Sequence, residues 1–113
     1  MRSSLLYLVL LAAPVAATAA ENPLSAAQAR GHALAAGVCA TCHGVEATGN
    51  SPNAKAPPFH ALAGRYVPLT LQRHLAEIAE TGHSNMPQIN VHADEVQDIV
   101  AYINSLESPS DPR

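Results

Sequence analysis

The sequence predicts an all-α domain of three main helices joined by long loops. Three observations carry this prediction. Leu71, Leu75 and Ile78, and then Val96, Ile99, Val100, Ile103 and Leu106, recur at the three- and four-residue spacings of a helix face. Ala26 to Val38 is dense in Ala, with Leu34 among them, and both are strong helix formers. No segment reads convincingly as a strand, and the connecting stretches are rich in Gly, Pro, Asn and Ser.

The first helix is expected to start at Ser25, which can cap it, with Gln28 three residues on as the partner in a capping box. Gly31 interrupts this helix. An interior Gly costs about 1 kcal/mol relative to Ala, so its presence implies close approach by another element. Gly44 to Pro58 reads as a loop with no apolar period. Tyr66-Val67-Pro68 leads into the second helix, with Pro68 suited to a first turn and Gly82 to a C-terminal stop. His83 to Val91 is again loop. The last helix is expected from about Ala93 to Leu106, with Asp94 and Glu95 in the first turn, where negative charge suits the dipole. Pro109 and Pro112 mark a frayed tail.

The N-terminus has a different character. Arg2 precedes an unbroken apolar run, Leu5 to Leu11, and then Pro14 and the small-residue stretch Val15 to Ala20. This is the layout of a cleaved secretory signal, with Ala17-Thr18-Ala19 as the A-x-A match and cleavage after Ala19 or Ala20. The apolar run is shorter than the roughly 20 residues a membrane span requires. Two segments follow: residues 1–20 as signal peptide and residues 21–113 as one domain, exported to the periplasm and without a transmembrane candidate.

About 93 residues of the 113 then remain to build a core, with no Trp and only Phe59, Tyr66 and Tyr102 as large aromatics. Small domains of this kind usually need a disulfide, a metal or a bound cofactor, and long loops need something to fold around. The net charge is −3, or −4 once Arg2 leaves with the signal. No basic run is present, which makes nucleic acid and anionic membrane poor partners.

Cys39 and Cys42 are the only cysteines, and they are too close for an ordinary structural disulfide. Cys39-Ala40-Thr41-Cys42-His43 is the signature of covalent haem attachment. Two thiols three positions apart at a helix end can both reach the vinyl carbons of one porphyrin, and the adjacent imidazole then falls beneath the iron. A redox dithiol would need a preceding strand and a βαβ context. A structural zinc site would need four ligands, and there is only one Cys pair. The reading is one haem c, with His43 as a metal ligand. Met86 is the only Met beyond the signal. It sits in the polar stretch His83-Ser84-Asn85-Met86-Pro87-Gln88, where it has no packing stripe to belong to. It is the expected second metal ligand, with His83 as the rival. His32, His60, His74 and His92 read as solvated or packing residues.

In this arrangement the chain resembles a class I c-type cytochrome over essentially all of residues 21–113. Gly31 stands eight residues before Cys39 and the haem motif follows. Ala56-Pro57-Pro58-Phe59-His60-Ala61-Leu62-Ala63-Gly64-Arg65 is similar to the family's Gly-Pro-x-Leu-x-Gly-x-x-Gly-Arg segment. Met86 and a final helix with Ile99 and Tyr102 complete the order.

The resemblance implies a cytochrome c-like fold around one covalently bound haem. It implies that the Pro57 carbonyl meets the second nitrogen of His43, and that Arg65 lies near a haem propionate. It also implies that Gly31 lets the first helix cross the last against Tyr102 and Ile99, and that Phe59, Leu62, Leu71 and Leu75 line the haem pocket. The departures are Ala56 for Gly, Ala35 where a larger residue is usual (implying thinner packing between the first and last helices), His92 where Ser or Thr often caps, and an acidic balance in place of a lysine ring.

The function implied is one-electron transfer between a dehydrogenase and an oxidase or another cytochrome. No catalytic residue is expected, and the protein is read as a carrier rather than an enzyme. The alternatives are an open-site haem protein that binds small gases or peroxide, and a permanent cytochrome subunit of a larger oxidoreductase.

Overall fold

The computed structural model describes residues 9–16, 20, 22–83 and 85–107. Within them lie four helices: α1 (Pro23–Val38), α2 (Phe59–Arg65), α3 (Pro68–Thr81) and α4 (Ala93–Ser105). No strand is present among the described residues; the one β-bridge pairs His83 with Met86. Most of the signal run, Ala17 to Ala19 at the expected cleavage point, and Pro109 and Pro112 of the tail lie outside the described residues.

α1 begins earlier than the Ser25 cap predicts. Asn22 Oδ1 accepts from the Leu24 N–H at 2.9 Å, and Pro23 fills the first turn. A capping Asn followed by Pro with its preset φ is a complete start signal in itself, and it leaves Ser25 and Gln28 inside the helix. α2 is not among the helices the sequence predicts; its residues fall within the Ala56 to Arg65 stretch that resembles the family's segment. At seven residues it is too short to show a period, and its register is fixed from outside: Phe59 is buried and donates its N–H to the Gly44 carbonyl at 2.8 Å. α3 starts at Pro68 and stops at Gly82, whose φ is 71°. α4 ends one residue short of Leu106, which still packs on the core.

The core is built around the crossing of α1 and α4, the most extensive contact between elements, with Phe59 and Ala63 of α2 and Leu71 and Leu75 of α3 joining it. A Cβ at Gly31 would stand 2.0 Å from the Asp98 carbonyl oxygen and 2.8 Å from Tyr102 Cβ, so no side chain fits there. Ala35, one turn on, is 0% exposed. The packing there is filled rather than thin, because the small side chain lets the helices approach closely. α4 contributes Val96, Ile99, Val100, Tyr102 and Ile103 to the core. Arg30 clamps the crossing from outside, with Nε and Nη2 donating to the two Asp98 oxygens at 2.8 and 2.9 Å. The α1–α4 pair is thus a frame, and the loops that leave it at Cys39 and return at His92 enclose the candidate site.

Candidate functional site

α1 ends at the cysteine motif. The Cys39 carbonyl accepts from both the Cys42 and His43 N–H groups, at 3.1 and 2.9 Å. The motif therefore winds one further turn, which brings Cys39 and His43 to one face. The turn is tied into the loop behind it: Asn53 donates to the Cys42 carbonyl at 3.0 Å, and the Gly44 N–H donates to Ser51 Oγ at 2.9 Å.

His43 Nδ1 stands 2.7 Å from the Pro57 carbonyl oxygen. A carbonyl can only accept, so Nδ1 carries the proton, and in the neutral ring Nε2 keeps its lone pair. Phe59 packs beside the ring at a centroid distance of 5.6 Å. The ring is thus oriented, its tautomer is set, and its free nitrogen has the basicity a metal ligand needs.

Two adjoining cavities of 330 and 460 Å³ share Cys39, His43, Lys55 and Met86 as lining residues. Cys42, Val38 and Ile89 belong to the first, and Phe59, Leu62, Leu71, Leu75 and Ile78 to the second. Together they form one largely apolar crevice lined by Cys39 and Cys42, by Met86, and by three histidines, of which His43 alone is common to both cavities. A flat, largely apolar macrocycle with two reactive vinyl carbons and an iron fits this donor set and lining.

The Cys39 thiol is free and buried, and burial pushes its pKa up to about 11. A dithiol built for exchange needs the opposite shift. Among the described residues, no group of three or more His, Cys, Asp or Glu side chains is gathered to hold a metal ion.

Met86 is half-buried and His83 exposed. The two exchange backbone hydrogen bonds, each 2.8 Å. His83 lines only the second cavity, whereas Met86 lines both. Arg65 is exposed in the last turn of α2 and lines neither cavity. The other histidines make packing or polar contacts. His32 stacks on Tyr102 at 4.7 Å and meets Glu46 at 2.9 Å, His60 meets the Gly49 carbonyl at 3.0 Å, and His74 sits edge-on to Tyr66 at 5.4 Å.

Sequence reasoning missed three contributors. Lys55, the only lysine in the chain, lines both cavities. His74 lines the second. The Tyr102 hydroxyl donates to the Val45 carbonyl and so pins the segment just after the motif onto α4. Burial, and then the charge of Glu46, push the Tyr102 pKa up, so it remains a donor at neutral pH. Only Lys55 left a readable sign, as the one cation of a loop whose other charge is Glu46.

An all-helical domain whose first helix runs into a Cys-x-x-Cys-His turn, facing a loop methionine across an apolar crevice, has the form of a class I c-type cytochrome. Residues 26–103 match the model of a family described as cytochrome c oxidase, cbb3-type, subunit III, and the chain belongs to that family. No curated protein and no solved structure matched the chain. The family makes haem-based electron transfer the chemistry of this domain, as a carrier or a subunit, with redox proteins as its partners. Among the described residues, no helix is long and apolar enough to cross a membrane.

Proposed function

We propose that the chain is an exported electron-transfer protein that holds one haem c through thioether bonds to Cys39 and Cys42, with His43 and Met86 as the axial ligands. The observation that carries this reading is that His43, with Nε2 free, and the thioether of Met86 line the same apolar crevice. When bound, the haem supplies an iron that changes oxidation state by one electron. Each protein group then has a distinct task. Cys39 and Cys42 retain the cofactor in a domain too small to enclose it fully. Pro57 fixes the His43 ring. Met86 closes the second axial position, and a thioether there favours the reduced state more than an imidazole would. Phe59, Leu62, Leu71 and Leu75 exclude water. Arg65, at the end of α2, and Lys55 at the crevice are the cations offered to the propionates.

The partners proposed are a dehydrogenase on one side and an oxidase or another cytochrome on the other, met through small, short-lived contacts. Residues 1–20 are proposed to be a signal peptide and the mature chain periplasmic, on the composition of that segment. The family description, which names a subunit of an oxidase, favours a second reading with the same chemistry and a permanent partner.

Voltammetry of the matured chain tests the ligand set. The reading predicts a one-electron wave whose potential falls sharply in Met86→Ala. An unchanged potential would remove Met86 from the iron.

A further inference from the structure

The segment that carries Met86 is held unusually close to the end of α3. Gly82 has φ 71°, and a Cβ there would come within 3.1 Å of the Gln88 nitrogen and 3.3 Å of the Met86 carbonyl oxygen. The chain thus doubles back onto the helix end through a position that favours glycine. The reversal continues at Asn85, with φ 62°, and the His83–Met86 bridge closes it.

These are backbone devices, and they set the shape of the turn but not its attachment. Attachment comes from Gln88, whose Nε2 donates to the Glu80 carbonyl oxygen at 2.8 Å. That carbonyl is one of the last four of α3, which have no partner inside the helix. Among the described residues, this is the only side-chain hydrogen bond made by residues 85–91.

We propose that Gln88 is a positioning residue for Met86: its side chain ties the methionine-bearing turn to α3 and so keeps the thioether in the crevice. The proposal rests on Met86 ligation as read above. The physical consequence is a population shift. An external ligand can bind only when Met86 has swung out, so its apparent affinity scales with the open fraction. Losing a tether worth one ordinary hydrogen bond raises that fraction about 5-fold.

The test uses the full chain matured with haem, in the ferric state, titrated with imidazole. The parent should show the weak far-red band of thioether-to-iron charge transfer. Gln88→Leu, on the surface and of similar size, should keep that band and tighten imidazole binding about 5-fold. Gln88→Arg, which restores a donor to the same carbonyl, should return the affinity to the parent value. In a Met86→Ala background, Gln88→Leu should change nothing, because no thioether remains to be positioned.

If the parent band is present and Gln88→Leu leaves imidazole affinity unchanged, the positioning role is wrong and Met86 ligation survives. If the effect persists in the Met86→Ala background, Gln88 acts elsewhere and the proposal is equally wrong. A parent without the band overturns the ligation reading, and this proposal with it.

Discussion

Tyr102 does more at the residue scale than its expected place against Gly31 suggests. Its ring supports His32, its Cβ faces Gly31, and its hydroxyl serves the Val45 carbonyl, two residues beyond His43. Tyr102→Phe keeps the ring and leaves the Val45 carbonyl without its partner. The expected cost is about 1–3 kcal/mol, the penalty for an orphaned buried acceptor. It is read as a lower urea midpoint with unchanged haem content, and an unchanged midpoint would deny the hydroxyl this role.

The Cys39–His43 motif and Met86 could be named as candidates from the sequence, because the proposed chemistry requires those residue types, and they line one crevice. Val45, Gly44 and Gln88 could not, because they act through backbone atoms or side-chain contacts to backbone far along the chain. Bonds of that kind leave no period and demand no particular residue. Lys55 fell between the two: visible as the one lysine of the chain, but with nothing in the sequence to say where its loop would lie.

At the scale of elements, the α1–α4 crossing organises the rest, and Arg30–Asp98 is its clamp. The hydrogen bond from Arg30, reinforced by its charge, holds the Asp98 carboxyl below the usual range, with desolvation opposing. A carboxylate with a depressed folded-state pKa contributes stability that is present above its unfolded value, about 3.9, and is lost as pH falls through the folded value. The parent should therefore exceed Asp98→Asn in urea midpoint by a small, constant margin between pH 5 and 7. The margin should shrink below about pH 4. A gap independent of pH would assign the effect to packing instead.

The crossing itself was readable from Gly31, since a glycine in the middle of an Ala-rich helix calls for a neighbour in contact. The start of α1 was misplaced because two adequate caps compete, and Asn22-Pro23 wins by setting both the side-chain acceptor and φ. α2 could not be read from its own seven residues, since its position depends on the Gly44 carbonyl and the burial of Phe59.

On the scale of the whole molecule, the frame and the crevice wall differ in what supports them. α1 and α4 bury each other, whereas α3 presents Leu71, Leu75 and Ile78 to the second cavity and makes fewer contacts with α4. Leu71 and Leu75 also join the core, and without the cofactor they and Ile78 forgo the packing it would add on the cavity side. A chain with both Cys39→Ser and Cys42→Ser, unable to retain haem covalently, should keep slow hydrogen exchange in α1 and α4 and lose it in α3 and the Met86 turn. Uniform loss, or none, would contradict a frame that stands apart from a cofactor-dependent wall.

The account as a whole depends on an iron closed on both sides by this chain. The most direct test is the ferric absorption spectrum of the matured protein beside that of Met86→Ala. The account predicts a low-spin spectrum with the far-red thioether band in the parent and loss of that band in the variant. Covalently attached haem with a high-spin spectrum in the parent would contradict it, and would mark the site as open to external ligands.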